Sequence, residues 1–79
     1  MAEPIDERLR DVICRELGIA TYPLMDDTIA STVPGWDSLA HVRVILAVER
    51  EFGIRIRAVE AIRLRNVGDL DKLVKNKTK

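Results

Sequence analysis

Ser38 is the residue of this chain best placed to do chemistry. It sits in Val33-Pro34-Gly35-Trp36-Asp37-Ser38-Leu39-Ala40-His41-Val42. A Pro-Gly turn runs into Asp-Ser, and an apolar-rich helical pattern follows. That order puts a hydroxyl at the N-terminus of a helix, where backbone N–H groups lack intrahelical partners and a partial positive charge collects. Such a position is a natural seat for a phosphate. Read on its own, Ser38 is an ordinary helix N-cap, a position that serine fills well.

Other chemistries find little support. One histidine, His41, and one cysteine, Cys14, lie far apart and make no metal site. His41 stands three residues after Ser38 on the same helix, so it is no independently oriented base for a catalytic serine. Gly35-Trp36-Asp37-Ser38 is no nucleophile elbow, because no strand precedes it and no glycine follows two residues on. No glycine-rich phosphate loop is present. Cys14 lies in an apolar-rich helix and reads as a small, partly buried hydrophobe. A single cysteine excludes an internal disulfide. Neither catalytic nor metal-ligating residues are expected.

The 79 residues suffice for one small domain spanning 1–79, built from short helices packed locally. With 47% apolar and 33% charged residues the balance is that of a soluble globular chain. A net charge of zero leaves no overall field toward nucleic acid or membrane. The zero conceals an asymmetry. Met1 to Asp37 holds eight acids and three bases, or −5, while Ser38 to Lys79 holds five acids and ten bases, or +5. Solvated surface charge is the plain reading, and basic side chains offered to an acidic partner is the sharper one. Met1-Ala2-Glu3-Pro4-Ile5-Asp6 lacks the layout of a signal peptide, and no apolar run reaches membrane-spanning length. A cytoplasmic monomer that binds neither nucleic acid nor membrane is expected.

These residues need helices to position them. Ile5, Leu9, Val12, Ile13 and Leu17 recur at helical spacing between Pro4, suited to a first turn, and the stop at Gly18. Ile19 to Asp37 is a long connection rich in Pro, Asp, Ser and Thr, in which Ile19, Leu24, Ile29 and Val33 would tack the loop to the helices. A second helix is predicted from Ser38 to Phe52, stopped by Gly53. It carries one apolar stripe of His41, Val44, Ile45, Val48 and Phe52, and another of Leu39, Val42 and Leu46 extended by Arg43 and Arg50. Two apolar faces mean either a central buried helix or a ridge left exposed for docking. Ile54-Arg55-Ile56-Arg57 reads as an extended connector with the isoleucines inward. Ala58 to Leu64 holds a short third helix. Asn66 caps a last helix from Val67 to about Val74, with Val67, Leu70, Leu73 and Val74 inward. Residues 75–79 read as a frayed basic tail.

Trp36-Asp37-Ser38-Leu39, followed by Val42, a run of aliphatics, Glu49 and Phe52-Gly53-Ile54, resembles the acyl carrier protein family. Asp-Ser-Leu matches the family's attachment motif, and the spacing to Phe52-Gly53 and on to Val67-Gly68-Asp69-Leu70 is similar too. The resemblance covers nearly the whole chain. It implies an all-α fold, a four-helix bundle with a short third helix and a long first loop. It implies no enzyme: a phosphopantetheinyl transferase would move 4′-phosphopantetheine from coenzyme A onto Ser38, and the arm's thiol would carry acyl groups as thioesters. By position Asp37 inherits a role in assisting that transfer, while Trp36 anchors the loop. Leu39, Val42, Arg43 and Leu46 would dock acyl-loading and acyl-accepting enzymes, and Ile62 and Leu64 would border the acyl chain's path.

Two departures bear on the pathway. Carriers of fatty-acid synthesis usually show acids along the second helix, where this chain has Ala40, His41, Arg43 and Arg50. Peptidyl carriers usually show Gly-Gly before the attachment motif, where this chain has Gly35-Trp36. Gly-Trp-Asp-Ser-Leu resembles discrete carriers of polyketide and related specialised pathways, including antibiotic biosynthesis. The competing expectation is a carrier-like helical interaction module that never receives the arm.

Overall fold

The computed structural model describes residues 2–78. It contains four helices: α1 (Glu7–Leu17), α2 (Ser38–Phe52), α3 (Ala58–Ile62) and α4 (Val67–Lys77). Each follows from a local rule. The apolar residues of α1 fall on one stripe, so Leu9, Val12, Ile13 and Cys14 are buried together. α2 ends at Gly53, where the Ile54 N–H reaches back to the Glu49 carbonyl at 3.1 Å. α4 starts at Asn66, whose side chain accepts from the Asp69 N–H at 2.8 Å. α3, with five residues, is too short to stand alone. It is held by the Arg57 N–H bonded to Glu60 at 2.9 Å and by the Lys77–Glu60 ion pair at 3.1 Å.

α1 and α2 pack most closely. Around their seam the core gathers Val44 and Val48 of α2, Leu24 and Val33 of the first loop, Ile56 of the connector, and Val67, Leu70 and Val74 of α4. Fully burying a side chain such as Leu9 or Leu70 contributes about 1.5–3 kcal/mol, so burial outweighs the exposed ion pairs. Asp71 is the buried charge among the described residues, and it pairs with Lys75 one turn later at 3.0 Å.

The long loop is held by backbone bonds. Near its middle the Asp26 N–H donates to the Glu3 carbonyl at 2.8 Å, and the Ile5 N–H donates to the Leu24 carbonyl at 3.3 Å. Its other side meets the N-terminus of α4, where the Val67 and Gly68 N–H groups donate to the Thr28 and Asp26 carbonyls at 2.8 and 2.9 Å. Two otherwise orphaned donors of α4 are thereby satisfied. The approach is so close that a Cβ on Gly68 would lie 2.3 Å from the Asp26 carbonyl oxygen.

Several expectations change. Pro4 does not open α1; it forms an isolated bridge with Met25, and the helix begins at Glu7. Ile29 does not tack the loop down but is 52% exposed, after which Ala30–Thr32 form a turn of 3-10 helix. Residues 75–77 are not frayed: α4 runs on to Lys77, because Lys75 is tied to Asp71 and Lys77 to Glu60. Lys79 lies outside the described residues. Ile54 and Ile56 do turn inward, with Ile56 buried and Ile54 packed on the core.

The Gly68 contact is with backbone, which cannot move aside cheaply. Gly68→Ala should destabilise the fold by about 1–3 kcal/mol. Thermal melts should show about 4–8 °C lost per kcal/mol, and an unchanged melting temperature would contradict the contact.

pH dependence follows from two glutamates. Arg8, bonded at 2.9 Å, holds Glu51 below the ordinary carboxylate value of 4.5, with help from Arg15. The Arg57 backbone N–H and the Lys77 ammonium lower Glu60 in the same way. A depressed carboxylate contributes stability above its unfolded value and loses it as pH falls through its folded value. Lys75, raised from 10.5 chiefly by its hydrogen bond to Asp71, behaves oppositely: its contribution is present below the unfolded value and lost as pH rises through the folded one. Urea titrations should therefore find stability falling below about pH 4.5. Glu51→Gln should flatten that acid limb, and an unaltered slope would contradict the assignment.

Candidate functional site

A tight turn leads into α2. Val33 is buried, Pro34 fixes its own φ, and Gly35 adopts a φ of 80°. Proline followed by a positive-φ glycine is the residue pattern of a type II turn. The turn closes with the Trp36 N–H donating to the Val33 carbonyl at 3.2 Å. Trp36 then folds into the core at 7% exposure. Its Nε1–H donates to His41 Nδ1 at 3.1 Å, and the rings stack with centroids 6.1 Å apart. Accepting this bond needs a lone pair on Nδ1, so the neutral ring carries its proton on Nε2. The expected loop anchor is confirmed, and His41 is its partner.

The cap of α2 differs from expectation. Asp37 is the N-cap, and its Oδ1 accepts the Ala40 N–H at 2.8 Å. Ser38 is therefore the first helical residue and is exposed. Its hydroxyl is spared from capping, because a cap side chain must lie just outside the helix to fold back on the second or third amide. The N–H groups of Ser38 and Leu39, both exposed residues at the first two helical positions, lack intrahelical acceptors. A phosphate on Ser38 would meet donors and the positive end of a 15-residue helix.

A groove of about 840 Å³ adjoins Ser38 and runs between α2 and α3. Ser38 and Asp37 lie at one end. Val42, Ile45 and Leu46 line one wall, with Ile56, Ile62 and Leu64 on the other. Glu49 also lines it, and its Oε2 accepts the Ile56 N–H at 2.7 Å, which pins the connector to α2. An exposed hydroxyl at one end of an open, largely apolar groove fits an attached flexible arm.

The two apolar faces of α2 have different fates. Val44, Ile45 and Val48 are buried, whereas Leu39, Val42 and Leu46 are 75%, 57% and 49% exposed. Of the two readings of this helix, the exposed ridge holds. Arg43 edges the ridge on the α1 side, with Glu16 3.9 Å away. Asp37 as cap, His41 as partner of Trp36 and Gly68 as a contact point escaped the sequence reading. Aspartate's capping preference bears on the first, but serine shares it, so it does not separate Asp37 from Ser38.

Comparison with known proteins agrees with this geometry. The family model described as "Phosphopantetheine attachment site" matches residues 7–74. Among solved structures, the solution structure of holo acyl carrier protein from Geobacter metallireducens is similar at a TM-score of 0.81 and 32% sequence identity. The match covers 87% of this chain and 79% of that one.

The Trp36–His41 bond should be measurable. His41→Leu orphans a buried indole N–H, a loss of about 1–3 kcal/mol. Unfolding followed by the fluorescence of Trp36, the single tryptophan, should report it. Unchanged stability would contradict the bond.

Proposed function

The chain belongs to the acyl carrier family defined by a phosphopantetheine attachment site, and from that premise we propose that Ser38 bears the arm. The protein is a carrier and not an enzyme, and its prosthetic group is 4′-phosphopantetheine. When bound, that group supplies a thiol able to hold an acyl group as a thioester.

The observation that carries the assignment is the exposed Ser38 hydroxyl at the first position of α2, with the cap bond made by Asp37 instead. Ser38 supplies the oxygen of the phosphodiester. The free amides of Ser38 and Leu39 and the helix dipole hold the charge there. No basic neighbour is required on this chain, because a phosphopantetheinyl transferase brings the catalytic groups. Asp37 is the nearest carboxylate in sequence, and its Oδ1 is held by the Ala40 amide. We assign it the assisting role in transfer.

Leu39, Val42 and Leu46 form the docking ridge, and Arg43 sets its charge on the α1 edge. Loading and accepting enzymes would sit there, above the groove. The exposure of three large aliphatics on one helix face supports this reading. The pathway is a polyketide or other specialised one. Arg43 and Arg50 on α2, where carriers of fatty-acid synthesis usually place acids, favour partners of the opposite charge pattern.

Incubation with coenzyme A and a broad-specificity phosphopantetheinyl transferase should add one arm to the intact mass, and Ser38→Ala should add none. An unmodified wild-type chain would support the interaction-module reading. Asp37→Asn keeps a good cap, so its stability should stay close to wild type. Its rate of arm attachment should fall on the order of 10²-fold, and equal rates would remove Asp37 from the transfer step.

A further inference from the structure

The charge asymmetry of the sequence becomes a local feature at the far end of α2. A second recess, of about 840 Å³, is lined by Leu46, Arg50, Ile54, Arg55 and Arg57, with Glu49 and Ile56 at its border with the first groove. Its charge is lopsided. Arg50 and Arg55 form no ion pair among the described residues, and Arg57 meets Glu60 only at 3.7 Å. Glu49, the acid in the recess, already accepts the Ile56 N–H. Glu60, which meets Arg57, is shared with Lys77 at 3.1 Å, and Glu51 is turned to Arg8 and Arg15 on α1.

We propose that this arginine-lined recess is a docking site for a glutamate- or aspartate-bearing segment of a partner protein. Leu46 continues the exposed ridge directly into it. Guanidinium groups bind carboxylates in two-bond geometry at little entropic cost once positioned, and they suit interfaces better than lysine does. An apolar centre rimmed by arginine is the make-up of a protein interface. A nucleic acid or an anionic membrane is disfavoured. The chain has no net charge to draw it to a polyanion, and none of its three aromatic residues lines the recess for base stacking. Ser38 and Arg50 lie twelve residues apart on one straight helix, about 18 Å along its axis. A partner gripping the recess is thus set beside the ridge with its body facing Ser38. This identification of the partner as an enzyme serving Ser38 rests on the carrier reading; the carboxylate preference of the recess does not.

The test is an amide NMR titration of the isotope-labelled protein with a synthetic helical peptide carrying glutamates around a leucine stripe. Shifts should concentrate at Leu46, Arg50, Arg55 and Arg57 and saturate with a Kd of about 1 mM or tighter. Added salt should weaken them. The lysine-for-glutamate peptide should give none. Arg50→Glu with Arg55→Glu, both exposed, should weaken binding about tenfold or more while the spectrum stays folded. Shifts elsewhere, no shifts, or equal binding by the lysine peptide would overturn the proposal. So would equal binding of a short single-stranded RNA or of phosphatidylglycerol vesicles at the same residues. Arm attachment is scored on the same samples by intact mass. An arm on Ser38 without peptide binding sinks the recess alone, and peptide binding without an arm sinks the carrier reading alone.

Discussion

The hydrogen bond from the Ala40 amide to the Asp37 carboxylate decides how Ser38 is used. One of two adjacent residues had to cap α2, and both types cap well. With Asp37 outside the helix and bonded at 2.8 Å, Ser38 becomes the first helical residue with its hydroxyl unspent. Were the roles reversed, the serine oxygen would be folded over the helix end. The proposed attachment of a phosphate at Ser38 needs the first arrangement. The turn before it serves the same end, since the Trp36 ring, buried and bonded to His41, fixes where the chain enters the helix.

The remainder of the fold keeps that helix end in place while leaving one side of α2 open. Backbone bonds from Glu3, Leu24, Asp26 and Thr28 tie the long loop to the N-terminal segment and to α4. Gly68 lets α4 come close enough for its first amides to donate to the loop carbonyls. Arg8 clamps the other end of α2 through Glu51 and lies 4.8 Å over the Phe52 ring. α3 packs loosely by comparison and leaves the groove beside Ser38. No helix among the described residues is long and apolar enough to cross a membrane.

The bounds of α2, the Asn66 cap and the inward isoleucines of the connector were legible because each rests on local chemistry: a glycine stop, an Asx cap, a two-residue alternation. The start of α1 was not. Pro4 suits a first turn, but its pairing with Met25 is a long-range contact that no local rule contains. The last turn of α4 was read as frayed because its support comes from Asp71 and from Glu60 of another helix. The choice between Asp37 and Ser38 as cap was invisible for a different reason. Both residue types satisfy the rule, so local preference alone does not choose between them. The exposed ridge was one of two outcomes compatible with the pattern, and the number of neighbouring helices able to cover α2 resolved it.

The central claim is that Ser38, and no other side chain, holds the arm. Its most direct measurement is fragmentation mass spectrometry of the protein purified from its native host, locating the added group residue by residue. The account predicts a phosphopantetheine adduct on Ser38, in a peptide containing Trp36-Asp37-Ser38-Leu39. An unmodified Ser38 in protein that is otherwise native and folded, or an adduct on another hydroxyl such as Ser31 or Thr32, would contradict it.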